Sequence, residues 1–451
     1  MLNRTVKALV NTFKIPDLRQ RIVFTLAMIA VYRVGCYVPI PGINSEALAQ
    51  FFSSVAGKQG GSLFDVMDLF TGRALSQMTV FALGIMPYIS SSIIMQLLTI
   101  IIPSLEKMAK EGGEHGRKAL TQYTRYGTVV LALFQSFIIS AYLEDPAHFM
   151  GLPVVESPGI LFRLLTMITL TSGTAFIMWL GEQITERGIG NGMSLLITVG
   201  IISRIPTALH FLVQMLSPFS PQNRQIEPYV PVIMIALFVA VIIFVVLITE
   251  GQRRIPVEYA KRVVGRRVYG GQSTYIPLRV NHAGVIPIIF AQSIILFPAT
   301  IGQFIPALQR FAENMMRGQV LYSVIYVLLI VFFAYFYTAV TFNTMDVAQN
   351  MKKYGGFIPG IRAGKPTADY LDHVLAHIVF PGAVFLAVIA VFPDLIMSFF
   401  KIPYVVASFF GGTGLLIIVG VMLDTMRQIE SHLLMRHYEG FMKRGHLRGR
   451  R

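Results

Sequence analysis

His373 and His377 stand four residues apart, the spacing that puts two imidazoles on one helix face, where they could share a metal ion. No third ligand is evident, and a helix-end pair is more often simply interfacial. H-E-x-x-H is absent, and so is G-x-x-x-x-G-K-[ST], so no zinc-protease or nucleotide-hydrolysing chemistry of those types is encoded. The single cysteine, Cys36, removes any intrachain disulfide and reads as a small buried hydrophobe. No Ser/His or paired-Asp constellation lies inside the apolar segments, which argues against an intramembrane protease. No enzyme activity, metal or cofactor is expected. The polar residues deep in apolar sequence are uncharged: Ser90, Ser91, Ser92 and Gln96, then Gln292 and Ser293. They either hydrogen-bond between helices or line a path or gate. Arg33, Arg163, Arg204, Asp394 and Asp424 lie toward segment ends, where snorkelling or local pairing accounts for them, Arg33 having no assigned role. Charge-free centres argue against an inverted-repeat secondary transporter, the runner-up reading, because pumps bury the charges that bind their cargo.

The elements that carry these residues are membrane spans. The chain has 451 residues, 54% hydrophobic and 14% charged, with a net charge of +15. That is too apolar for a nucleic-acid-binding globule or a disordered chain. Spans of about 20 apolar residues are expected at 22–40, 76–102, 126–143, 160–181, 192–212, 230–249, 283–305, 320–342, 373–398 and 405–426. The first lacks a small-residue cleavage site and is not a signal peptide. Residues 1–21 carry Leu2, Val6, Leu9, Val10 and Phe13 at helical spacing, either an interfacial amphipathic helix or a soluble cap.

Charge sets the orientation. The N-terminus, 103–125, 182–191, 250–282, 343–372 and the tail hold 29 Lys/Arg and 14 Asp/Glu; the rest holds nine of each. Positive loops stay in the cytoplasm, so both termini are expected there. Ten spans then divide into two groups of five that run in opposite directions, an inverted repeat. Span 2 carries GIMPYIS from Gly84 and span 7 carries GVIPIIF from Gly284. Span 5 follows GIGNG and span 10 follows GGTG, and each runs into Leu-Leu-Ile. The expected divisions are a first half at 22–212, an extracytoplasmic hinge loop at 213–229, a second half at 230–426 and a basic tail at 427–451.

Two loops are long. Residues 250–282 hold seven Lys/Arg, with Val, Ile and Tyr in the partial alternation of a hairpin. In 343–372, Gly355, Gly356, Pro359, Gly360, Gly364 and Pro366 oppose helix. They read as two basic fingers that dock a large electronegative partner, ribosomal RNA or a soluble ATPase, or else as topology signals that touch anionic lipid. Segment 61–75 forms a short amphipathic helix through Leu63, Phe64, Met67, Phe70 and Leu75, set apart by Gly72. It is an interfacial helix or, in a protein with a pore, a re-entrant stopper.

PIPG, FALGIMPYISSSIIMQLL, ERGIGNGMSLLI, EGQRRIPVEYAKR, AGVIPIIFAQSIILFPA, FIPGIRAGKPT and FFGGTGLLI, in this order along the whole chain, resemble the SecY family, the central subunit of the bacterial Sec translocon. The resemblance implies an all-α polytopic membrane protein with ten transmembrane helices in two pseudo-symmetric inverted halves and a re-entrant plug helix at 61–75. It implies a protein-conducting channel of the cytoplasmic (inner) membrane, through which unfolded chains cross and apolar segments leave sideways into lipid. The positions matching the family's pore ring are Ile85, Ile89, Met193, Ile197, Ile289 and Ile417. Gln96, Gln292, Phe297 and Ile301 match the lateral gate between spans 2 and 7, Gln292 departing from the small residue expected there. Arg253, Arg254 and Arg362 match the loop tips that engage the motor SecA and the ribosome. SecE and SecG are the implied membrane partners, SecE bracing the halves opposite the gate.

Overall fold

The structure is a computed structural model that describes residues 15–55, 68, 70–149, 151–216, 229–259, 262–264, 267–269, 273–304, 320–400, 402, 406–408 and 411–444. Residues 1–14, most of the segment 61–75, most of the 213–229 loop and the last seven residues of the tail lie outside these. Among the described residues, seven helices are long and apolar enough to cross a membrane, or eight if one bent pair counts as a single span.

Pro16 opens α1 (Pro16–Gly35), where a missing N–H breaks no helical bond. The expected first span therefore begins earlier and ends sooner, with a turn at Cys36 and Tyr37 before residues 38–40. After α2 (Ser45–Val55) comes the largest departure from expectation. Residues 72–85 are a succession of turns, and the helix of span 2, α3, covers only Met86–Ile101. Arg73 and Met78 have positive φ, and Pro87 sits in the first turn of α3, where its fixed φ suits a helix start. The non-helical backbone is paired internally: Ile40 N–H donates to Met78 O at 3.0 Å and Val80 N–H to Val38 O at 2.9 Å. Such pairing is what buried irregular backbone requires. α3 bends by 99° into α4 (Pro103–Glu111). α5 (Gly113–Glu144) and α6 (Ile160–Arg187) follow as a packed pair.

The expected fifth span is two helices, α7 (Gly192–Ile202) and α8 (Ile205–Leu216), broken at Ser203–Arg204 ahead of Pro206. Then come α9 (Tyr229–Glu250), a β-hairpin, α10 (Ile286–Phe304), α11 (Val320–Thr341), α12 (Thr344–Lys353), α13 (Lys365–Phe400) and α14 (Thr413–Arg444).

The paired motifs have paired backbones. Gly84 and Gly284 both have positive φ, +57° and +63°, and each precedes its helix start, Met86 or Ile286, by two residues. Gly190 (+88°) stands two residues ahead of α7 and Gly412 (+84°) one residue ahead of α14. A side chain at any of these four would face the left-handed penalty that glycine escapes. The related helices also meet: α3 packs on α10, and α7 on α14.

The two long loops are not separate fingers. β1 (Gln252–Tyr259) pairs antiparallel with β4 (Ser273–Arg279), Ile255 opposite Ile276, as the alternation predicts. β2 (Arg262–Val264) and β3 (Arg267–Tyr269) extend the hairpin. On its other edge β1 pairs with β5 (Gly356–Phe357), Glu258 opposite Phe357. The second loop thus completes a three-stranded sheet with the first. Ile255, Val257 and Leu278 share a core with Met351 of α12 and Leu371, Val374 and Leu375 of α13. Helix enters the 343–372 loop from both ends, and only the glycine-rich stretch between α12 and α13 stays irregular, with Gly355, Gly360 and Gly364 at positive φ.

Candidate functional site

Four elements converge on one apolar centre. Ile85 caps α3 and Ile89 follows one turn on, its N–H donating to Ile85 O at 3.1 Å. Ile197 comes from α7, Ile289 from α10 and Ile417 from α14. All five are buried, at 0 to 6% exposure, in a single apolar cluster, and Met193 packs against it half-buried. Where a pore narrows, apolar side chains exclude water and ions by dewetting, and they make no directional contact with what passes.

Phe70 belongs to the same cluster and is 2% exposed. It lies in the short helical stretch that Thr71 ends before Gly72, whose φ is +63°, so the break expected at Gly72 is present. The stretch from Gly72 onward is turn, and Leu75 does not continue the helix. Leu63, Phe64 and Met67 lie outside the described residues. Beside Phe70 is a charged cluster that the sequence reading did not assemble. Asp68 is the one carboxylate in the fully buried class among the described residues. One of its oxygens accepts from Ser76 N–H at 2.9 Å and the other lies 3.7 Å from Arg204 Nη2. Arg33 Nη1 donates to Gly72 O at 3.3 Å, and Ser203 Oγ, which donates to Gly200 O at 2.6 Å, lies 3.5 Å from the same carbonyl. Arg73 Nη1 donates to Thr207 Oγ1 at 3.2 Å. Arg33 thereby acquires a role, and the only prior signal was the placing of rare charges at span ends. Arg163 pairs locally with Glu144, as local pairing predicts.

The polar residues of α3 divide between the two expected uses. Ser91 is buried and donates to Thr124 O of α5 at 2.8 Å, so it joins helices and lines nothing. Gln96 stays half-exposed with its amide 3.4 Å from Ser92 Oγ. Ser293 bonds back to Ile289 O. Gln292, on α10, is 1% exposed, and neither of its amide atoms has a hydrogen-bond partner. A buried unsatisfied amide costs about 1–3 kcal/mol. Gln292→Leu is therefore expected to stabilise the protein by about that much, read as a higher Tm in detergent by intrinsic fluorescence; an unchanged or lower Tm counts against it. The side chains of Phe297 and Ile301 lie outside the described residues.

At the basic end, a cavity of about 450 Å³ opens between α7, α10 and α14, lined among others by Asn191, Ser194, Arg279, His282, Asp424 and Arg427. Gly190 N–H donates to Gln428 Oε1 at 2.8 Å across its wall. Arg427 bridges Asp424 at 3.2 Å and Glu250 at 2.7 Å. Burial, and then the Arg279 charge, hold His282 below the usual imidazole range, so it is neutral at pH 7. Arg253 and Arg254 are exposed on β1, Arg254 lying 4.8 Å over the Tyr275 ring. Arg362 is exposed in the irregular stretch after β5, its carbonyl held by Thr367 Oγ1 at 2.8 Å. His373 and His377 are exposed, their rings 4.3 Å apart, and no third ligand joins them among the described residues.

The sequence model of the SecY family matches residues 79–426. The chain belongs to the SecY family. It is 45% identical over 434 residues to the protein translocase subunit SecY of Aquifex aeolicus, covering 96% of this chain and 98% of that one. With the SecY of Streptomyces galbus the identity is 47% over 447 residues, covering 97% and 99%. Among solved structures, a protein conducting channel superposes with a TM-score of 0.62 at 16% identity, covering 93% and 96%. Sec61 in a canine ribosome–channel complex gives 0.57 at 16% identity with the same coverage. The structures show a shared fold. Family membership over nearly the full length makes this chain a multi-pass membrane protein and the central channel subunit of a Sec protein translocase.

Proposed function

We propose that Ile85, Ile89, Met193, Ile197, Ile289 and Ile417 form the constriction through which unfolded polypeptide passes, that segment 61–75 plugs it, and that α3 and α10 part to release apolar segments into lipid past Gln96, Gln292, Phe297 and Ile301. The observation that carries this reading is the gathering of all six residues, from four helices and both halves, in or against one apolar cluster. A solute transporter would need titratable groups there. The joined basic sheet, with Arg253, Arg254 and Arg362, is the docking surface for a SecA motor and for the ribosome. SecE and SecG homologues are the membrane partners, and anionic lipids meet the basic loops. The excess positive charge on those loops supports a bacterial inner-membrane orientation with both termini in the cytoplasm.

The plug is tested by disulfide formation. In a Cys36→Ser background, cysteines along 61–75 are expected to cross-link to a cysteine at Ile417 in the resting protein. The cross-link is expected to disappear when a stalled substrate fills the channel. Absence of any resting cross-link would sink the plug assignment.

A further inference from the structure

We infer that Asp68, Arg204 and Arg33 form a latch fastening the base of the plug to the N-terminal half alone, so that the plug stays seated when α3 and α10 part. The inference rests on reading segment 61–75 as the plug. It begins from a rarity: the interior is nearly free of charge, yet an ion pair is buried beside Phe70. Asp68 is 4% exposed, and the Arg204 side chain is 11% exposed. Removing a charge from water is costly unless a partner and hydrogen bonds compensate. Here Ser76 N–H donates to one carboxylate oxygen and Arg204 lies 3.7 Å from the other.

The second observation is the backbone contact. A Cβ on Gly72 would come within 2.8 Å of Gly200 Cα, and one on Gly200 within 2.9 Å of Phe70 O. The base of the plug therefore lies against the last turn of α7 with no side chain between them. Arg33 donates to the Gly72 carbonyl, and Arg73 reaches Thr207 of α8.

The third observation is where the partners come from. Every hydrogen bond and ion pair described for residues 68–76 involves α1, the α7–α8 turn, α8 or residues 68–79 themselves. All precede residue 217. Among the described residues no hydrogen bond or ion pair joins this stretch to the C-terminal half, whose residues share only the apolar cluster that includes Phe70. Apolar contact is non-directional and slides, whereas an ion pair with fixed hydrogen bonds has one geometry. Parting the halves moves α10 away from α3 and leaves the latch intact. Unseating the plug is then a separate event, which needs the Asp68–Arg204 pair to break.

The test is ion leak from proteoliposomes that hold the channel complex with its isoleucine ring intact. Loss of one partner of a buried pair corresponds to a shift of roughly a hundredfold or more toward the unlatched state. Arg204→Gln is expected to leak by that order and to lose the cross-link between 61–75 and Ile417. The exchange Asp68→Arg with Arg204→Asp is expected to restore both the seal and the cross-link, which separates pairing from a folding defect. Locking α3 to α10 with a disulfide is expected to leave the Arg204→Gln leak unchanged. Three results would overturn the latch: Arg204→Gln vesicles as tight as wild type with the cross-link retained, an exchanged pair that leaks as the single variant does, or a leak abolished by locking the gate. If the plug reading itself fails, the cross-link is missing from the wild-type protein, which no latch failure produces.

Discussion

Vesicles that carry the channel with Ile89 and Ile289 both replaced by glycine are expected to leak ions on the order of a hundredfold faster than wild type. Each isoleucine contributes about 2–3 kcal/mol of apolar burial, and about 1.4 kcal/mol is a factor of ten. The two residues come from opposite halves and are both 6% exposed, so their loss opens the constriction from two sides at once. Water that enters such a gap brings ions with it, because only dewetting had kept them out. Neither side chain makes a polar contact, so the expected cost is a leak with the helical frame intact. Reconstituted vesicles that hold a membrane potential as well as wild type would remove the six residues from the pore. Leak in this variant and leak in Arg204→Gln have different origins. The first persists with the plug cross-linked in place, and the second does not.

The second large effect concerns the basic sheet. Arg362→Glu is expected to lower motor-driven secretion by about a hundredfold while leaving the protein folded, because like-charge juxtaposition at a docking surface costs several kcal/mol. Arg362 is exposed, and only its carbonyl is engaged locally, by Thr367 Oγ1, so the substitution touches no core contact. The sheet edge also makes the effect directional. β5 pins the Arg362 stretch to β1, which carries Arg253 and Arg254, so one rigid surface presents all three cations. Secretion assayed with purified motor and inverted vesicles, alongside Tm of the variant, checks this. Normal secretion would sink the docking role.

Much of this fold is local and was legible in the residues. Hydropathy located seven spans, or eight with the bent pair, among the described residues, because burial in lipid acts on each segment independently. The alternation in 250–282 predicted the β1–β4 hairpin because strand periodicity is a property of neighbouring residues. The matched glycine–proline motifs at Gly84 and Gly284 pointed to a repeat, and both glycines have the positive φ that favours glycine. The six ring residues could be nominated from the family resemblance and the repeat.

Tertiary structure decided what depends on partners distant in the chain. Residues 72–85 are apolar enough for helix. They are instead turns, because residues 38–40 satisfy their backbone and Gly84 and Pro87 set the helix start later. The two basic loops looked independent, since the two residues of β5 carry no periodicity from which pairing with β1 could be read. Arg33 and Arg204 read as snorkelling ends, because a charge near a span end looks the same whether it meets water or a buried carboxylate. Only the fold brings Asp68 to Arg204 and Gly72 against Gly200. Composition and spacing thus determined a basic-faced membrane protein with a paired architecture. The Asp68–Arg204 pair and the joining of the two basic loops are pairwise energies between distant residues, and local pattern does not encode them.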